Sequence, residues 1–279
     1  LSLIQFESKK QKQNILYSEK VDNYIEWKDH LFFSDNGYII SNETSGFRHL
    51  YYYNFQGKLI QQLTHGNWEV DDVFGLSNGN IYYSSTEKNI FERNIYKVDL
   101  FGNKNTIVQK EGNNSLDISN DGEFLINHNS SFHVPDNYKV LNTEGSIIRV
   151  IEENKTLLDT ILSLELPKPL YFIYENSNGD TLNAYFLKPI DFDSTKKYPV
   201  LVYTYGGPGY QVLKNQYDGF NYFWYSYLTE VGFIVALVDV RGTGGKGRSF
   251  RENTYGKLGE LETEDISEIT KYIRSEERV

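Results

Sequence analysis

A turn signal that returns at near-constant spacing through the first half of the chain restricts the fold more than any other feature. Ser34-Asp35-Asn36-Gly37, Ser77-Asn78-Gly79 and Ser119-Asn120-Asp121-Gly122 set their glycines 42 and 43 residues apart. A second signal, at Gly57, Gly102 and Gly145, returns at spacings of 45 and 43. Asn-Gly and Asp-Gly steps supply the positive φ angles of tight hairpins. Between the signals lie paired strand-like segments: Tyr38 to Ser41 with His49 to Tyr53, Ile81 to Tyr83 with Asn94 to Val98, and Phe124 to Ile126 with Tyr138 to Leu141. One more strand precedes the first signal and another follows the second, as in Leu59 to Leu63. Four short strands per unit of about 43 residues match a β-propeller blade; a sandwich of irregular hairpins is the alternative. Three blades do not close a ring of about 4–8. Residues 1–27 read as the outer half of another blade, so more blades are expected upstream.

From about Leu157 the period changes. Leu157 to Leu162 reads as a short helix, and Pro167 and Pro169 break the chain after it. Strands are expected at Tyr171 to Tyr174 and Leu182 to Leu187. Pro199 to Tyr205 is a near-continuous apolar run of the kind buried on both faces of a sheet. Asp218 is a good N-cap. Phe220, Phe223, Trp224, Tyr227 and Leu228 then fall on one helical face, which is expected to be the apolar one. Gly232 is placed to end that helix. Phe233 to Val238 is a second buried-type strand, and a last helix is expected from near Thr263, with Ile266, Ile269 and Ile273 inward. Strand, helix, strand, helix signals an α/β sheet.

The 279 residues allow about two domains. A net charge of −10 repels phosphate backbones and argues against a nucleic-acid partner. With no Cys, disulfides and thiolate metal sites are excluded. There is no Met either, so the true N-terminus is expected to lie outside the sequence. His128 and His133 lack the spacing and carboxylate company of a metal site, and Arg48 and His49 are expected to serve packing and hydrogen bonding.

Gly242-Thr243-Gly244-Gly245-Lys246-Gly247 fits the dinucleotide pattern G-x-G-x-x-G. No clear helix start follows it at Arg248, so a loop crossing the sheet end is the reading here and no cofactor is expected. Asp239 and Arg241 are either catalytic or, at a strand end, ties for a loop. Tyr205 closes the apolar run and precedes Gly206-Gly207-Pro208. It is either core or part of an oxyanion hole, which hydrolases build at such a turn.

Several separated words, in order, carry a family resemblance. They are Ile40-Ser41-Asn42-Glu43, Gly46-Phe47-Arg48-His49-Leu50-Tyr51, Leu63-Thr64-His65-Gly66-Asn67-Trp68-Glu69-Val70, Lys197-Tyr198-Pro199-Val200 with Tyr205-Gly206-Gly207-Pro208, Asp239-Val240-Arg241-Gly242-Thr243-Gly244, and Leu258-Gly259-Glu260-Leu261-Glu262. Together they resemble the dipeptidyl peptidase IV family of the prolyl oligopeptidase superfamily of serine peptidases. The resemblance implies a partial β-propeller over residues 1–155 and the N-terminal part of an α/β-hydrolase domain over 156–279. It implies a parent exopeptidase that releases N-terminal dipeptides, X-Pro type, from peptide substrates, with Tyr205 stabilising the oxyanion. It implies an extracytoplasmic setting (periplasmic, secreted or membrane-anchored) and allows a homodimer. The second half holds no G-x-S-x-G nucleophile elbow, and His30, His49, His65, His128 and His133 all lie in the repeat half. The chain alone is therefore expected to lack the Ser, Asp, His triad and to be inactive. A propeller binding module fused to a catalytically silent hydrolase-like domain is the alternative.

Overall fold

The computed structural model describes residues 1–9 and 11–275, so the last four positions of the expected hydrolase part lie outside the described residues. The chain opens with a two-stranded antiparallel sheet, β1 (Ser2–Glu7) and β2 (Lys12–Ser18). Three four-stranded antiparallel meanders follow. The first comprises β3 (Leu31–Ser34), β4 (Gly37–Asn42), β5 (His49–Asn54) and β6 (Leu59–Gln62). The second comprises β7 (Val70–Ser77), β8 (Asn80–Ser85), β9 (Asn94–Asp99) and β10 (Lys104–Val108). The third comprises β11 (Asn113–Ile118), β12 (Phe124–Ser131), β13 (Val134–Asn142) and β14 (Ile147–Glu152).

The repeated turn residues set this register. At the β7–β8 hairpin, Asn78 and Gly79 both take positive φ, 48° and 73°, a backbone that follows the twist of the flanking strands. The meanders then pack face to face through their tyrosine-rich inner strands. Ile39, Leu50 and Tyr52 of the first join Val70, Val73, Ile81, Tyr83, Tyr96 and Val98 of the second in one core. Tyr82 and Ile95 of the second join Leu116, Leu125 and Leu141 of the third in another. Sheets stacked in series in this way are propeller blades, not the halves of a single sandwich. Leu16 and Tyr17 of β2 pack against Tyr38, Ile40, Tyr51 and Tyr53 on the other side of the first blade.

The second half begins with α1 (Lys155–Ser163) and builds a mixed sheet from β15 (Leu170–Glu175), β16 (Thr181–Leu187), β17 (Val200–Tyr203) and β18 (Ile234–Asp239), in the order β15-β16-β18-β17. Only β17 and β18 run parallel, and α2 (Gly219–Glu230) connects them. The short α3 (Arg248–Glu252) and α4 (Leu261–Ser275) follow. Period-two alternation gives the sheet two apolar faces. Tyr185, Leu187, Val235 and Leu237 face Tyr222 and Tyr225 of α2 and Ile161 of α1. Ala184, Phe186, Ile234, Ala236 and Val238 face Ile269 and Ile273 of α4. Phe132, at the β12–β13 turn of the third blade, enters the first of these cores, its ring 4.7 Å from that of Tyr222.

Three expectations are corrected. Of the expected apolar face of α2, Phe223 and Leu228 pack against the core, but Phe220, Trp224 and Tyr227 are exposed, and the fully buried residues are Tyr222, Tyr225, Ser226 and Thr229. The helix is aromatic nearly all round, so periodicity does not select a face; the ring pockets beside Tyr185 and Phe132 do. Asp218 precedes the helix but its side chain makes no cap bond; its carboxylate accepts from Asn221 Nδ2 instead. Finally, the apolar run at Pro199 yields only the four-residue β17, which pairs with β18 alone among the described residues and leaves Leu201 and Tyr203 partly open.

Candidate active site

Because β17 and β18 are parallel, the loops that leave their carboxyl ends lie side by side, the usual place for a site in such a sheet. Tyr205 stands in the first loop, two residues beyond β17, and is 59% exposed. It therefore fills no core among the described residues. Its ring lies 4.4 Å from that of Tyr210. Gly207 makes this possible, since a Cβ there would sit 2.3 Å from the Tyr205 ring. Tyr205 borders an open cleft of about 380 Å³ shared with Leu258 and Glu262 at the start of α4.

The second loop holds the glycine pattern, and its close approaches explain the glycines. Gly209 N–H donates to Gly242 O at 2.8 Å, and a Cβ on Gly244 would lie 2.5 Å from Gly209 O. On the other side, Arg248 N–H donates to Gly46 O of the first blade at 2.8 Å. Contrary to expectation, a helix does open after the third glycine, though α3 has only five residues. The backbone amides that would cradle a phosphate are nevertheless occupied: Gly245 and Gly247 N–H donate to the Glu69 carboxylate at 3.3 and 2.8 Å. Burial pushes the Glu69 carboxyl pKa up, and the Gly247 amide opposes that. The loop thus binds a carboxylate of the second blade where the dinucleotide pattern would bind phosphate.

Asp239 and Arg241 are ties, as one of the two readings held. The Asp239 carboxylate accepts from Val212 N–H at 2.8 Å and Leu213 N–H at 3.3 Å, pinning the end of the Tyr205 loop. Burial raises its pKa to about 6 against those two bonds and the Lys246 and Lys214 charges. Arg241 binds the fully buried Asp265 through both Nε and its own backbone amide. His49 is a packing residue: its ring nitrogens meet Thr64 Oγ1 at 3.0 Å and Gly66 O at 2.9 Å. Among the described residues no cluster of His, Asp and Glu could hold a metal ion, and no helix is long and apolar enough to cross a membrane.

One run in the chain does fit G-x-S-x-G, Gly75-Leu76-Ser77-Asn78-Gly79. Ser77 ends β7 and Asn78-Gly79 form the turn into β8, so a strand and not a helix follows. It is a blade hairpin, not a nucleophile elbow, which needs a strand-to-helix turn.

The blades reach both loops through side chains that local patterns did not single out. Arg251 in α3 binds Glu43 and Glu26, and Arg93 in the second blade binds Gln211. Glu43 and Glu69 lie inside the words that carried the family resemblance, but nothing in those words says what the carboxylates bind. Glu26, Glu69, Arg93 and Arg251, with Lys28, Arg48, Asp71 and Lys214, line a cavity of about 80 Å³ between blades and loops.

Blades of four antiparallel strands that dock on a mixed sheet define a propeller-bearing α/β-hydrolase. Residues 1–136 match the family model described as the dipeptidyl peptidase IV N-terminal region, and residues 219–279 match that of the prolyl oligopeptidase family. A probable dipeptidyl peptidase 4 of Aspergillus flavus is 33% identical over 241 residues, which cover 83% of this chain and 31% of the relative. Dipeptidyl peptidase 4 of Trichophyton equinum is 31% identical over 248 residues, covering 82% of this chain and 30% of the relative. The crystal structure of Porphyromonas gingivalis dipeptidyl peptidase 4 superposes with a TM-score of 0.93 at 29% identity, over 100% of this chain and 40% of that one. The chain belongs to the dipeptidyl peptidase IV family. It spans about a third of the length of the curated relatives it matches.

Proposed function

We propose that the chain is part of a serine exopeptidase that releases N-terminal dipeptides, X-Pro type, from peptides. Residues 1–155 are its C-terminal propeller blades and 156–279 the first part of its hydrolase domain. In this reading Tyr205 donates its hydroxyl hydrogen bond to the oxyanion of the tetrahedral intermediate, and Ser, Asp and His come from elsewhere in the parent protein. The observation that carries the reading is the exposure of Tyr205 on a glycine-rich turn at the carboxyl end of β17. A hydroxyl so placed is free to meet a substrate, and the Tyr210 ring limits where it can swing.

An oxyanion donor acts on charge that develops at the transition state, so its loss lowers kcat more than it alters KM. In the full-length protein, Tyr205→Phe is expected to reduce kcat on an X-Pro chromogenic substrate by about 10²–10³-fold. A kcat within about threefold of the parent, far short of a lost donor, removes Tyr205 from this role. The 279-residue chain alone is expected to cleave nothing and to leave a fluorophosphonate probe unbound; specific labelling of any of its serines overturns that.

A further inference from the structure

The loop that carries Tyr205 has little local means of fixing its own shape. Gly206 and Gly209 take φ of 71° and 77°, and glycine backbones are the least restrained of all. Gly242 O and the Asp239 carboxylate hold its backbone from within the hydrolase part, and its side-chain anchor is on the propeller. Gln211, buried to 5% exposure, is gripped at both ends of its amide: Oε1 accepts from Arg93 Nη2 at 2.7 Å, and Nε2 donates to Ile90 O at 2.9 Å. These partners lie 118 and 121 residues earlier in the chain, at the second blade. Arg93 has no freedom of its own. Its Nε donates to Asp71 Oδ2 at 2.6 Å, and its Nη1 donates to the carbonyls of Ile90 and Glu92, both at 3.0 Å. Next to Gln211, Tyr210 presents the ring on which the Tyr205 ring rests at 4.4 Å. The contacts therefore form a continuous path, Asp71 to Arg93 to Gln211, then along the backbone to Tyr210 and across to Tyr205.

We propose that Gln211, clamped by Arg93 and Ile90 of the second blade, is a positioning residue for the Tyr205 hydroxyl. The propeller thereby sets the geometry of oxyanion stabilisation in addition to whatever substrate contacts it makes. This rests on the reading of Tyr205 as the oxyanion donor. A planar guanidinium that spends its donors on fixed acceptors holds an amide more rigidly than a lysine would. An error of about 1 Å in a group that meets the reacting atoms can cost on the order of 10²-fold in rate.

The test is a double-mutant cycle on kcat in the full-length protein, with Tyr205→Phe, Gln211→Leu and the pair together, and a melting curve for each. Gln211→Leu is expected to lower kcat about 10- to 100-fold, with KM within about threefold since ground-state binding is untouched. In the Tyr205→Phe background the same change is expected to cost almost nothing more, because the hydroxyl it positions is gone. Gln211→Glu, which keeps the acceptor for Arg93, is expected to recover most of kcat. If Gln211→Leu does not fold, Arg93→Lys, which keeps the charge but loses the guanidinium's grip on the amide, carries the test: kcat is expected to fall about 10-fold or more, and an unchanged kcat overturns the inference. If Gln211→Leu and Gln211→Glu both leave kcat unchanged, the inference is overturned. Losses that simply multiply in the double variant show that Gln211 acts independently of the hydroxyl and overturn it too, while leaving Tyr205 as donor. An unchanged kcat in Tyr205→Phe alone overturns both readings.

Discussion

Arg251 grips the Glu43 carboxylate, 208 residues earlier in the chain, with both terminal nitrogens at 2.6 and 2.5 Å. Arg48 shares the same carboxylate at 3.0 Å, and Arg251 Nε also meets Glu26 at 2.7 Å. Arg48, Arg251 and Glu43 are all buried. Two guanidinium groups against two carboxylates keep the cluster neutral, and such a buried cluster is costly to unbalance.

Glu43→Gln leaves Arg48 and Arg251 short of their shared counter-charge. It is expected to destabilise the protein by about 3–5 kcal/mol. Adding Arg251→Met should recover part of that loss instead of deepening it, since the second change removes the stranded charge. Urea-unfolding curves of the single and double variants give the comparison, and simple additivity would show that the pair is not coupled.

Asp239 should give the stability a recognisable pH signature. Its pKa is raised to about 6 by burial in the fold, against roughly 3.9 in an unfolded chain. The folded state therefore holds its proton more tightly, and that contribution is full below about pH 4 and lost as pH rises through about 6. The span is on the order of 3 kcal/mol. Asp239→Asn is expected to flatten this part of the stability profile; an unchanged slope between those pH values contradicts the assignment.

Gly244→Ala tests the contact between the two loops that follow β17 and β18. The added methyl would meet Gly209 O at 2.5 Å, and neither the methyl, fixed to its Cα, nor the backbone carbonyl can rotate aside. Overpacking of this kind costs about 1–3 kcal/mol. In the full-length protein kcat should fall with stability, because the displaced segment follows Tyr205. Wild-type melting together with wild-type kcat would show that the loops part freely.

Phe132→Ala removes the aromatic side chain that the third blade inserts into the hydrolase core. The residue is 8% exposed and its ring also lies 5.9 Å from Tyr185. A loss of about 3–5 kcal/mol is expected. If the two halves are held together by the ionic contacts alone, the change will be much smaller.

How far the sequence could be read depended on whether the information was local. Asn78-Gly79 and Gly122 specify hairpins through their positive φ, whereas at the first repeat Gly37 already belongs to β4 and Asp35 and Asn36 form the turn; the turn residues are local in every case, so the blades were legible strand by strand. The unbroken apolar run of β18 was equally plain, because that strand meets one core on each side. On α2, Phe220, Tyr222, Trp224 and Tyr225 are all apolar or aromatic, and only the tertiary partners Phe132 and Tyr185 decide which turn inward. Tyr205 was legible as a candidate through the glycines that follow it. Its supports were not, since Gln211 to Arg93 and Gly247 to Glu69 join residues 118 and 178 apart. No window of local sequence contains both members of such a pair.

The distance between Glu69 and Gly247 also orders events in time. A ribosome adding about 5–20 residues per second needs roughly 10–40 s to cover the intervening chain. The second blade is made long before the amides that will satisfy Glu69 exist, and a blade that folds in that interval does so with the carboxylate still hydrated. Contacts that form after the blade has folded do little to speed folding and act chiefly by slowing its reversal. The ionic seam between blades and loops should accordingly be found in the unfolding rate: it sets how long the assembled protein lasts, not how fast it forms.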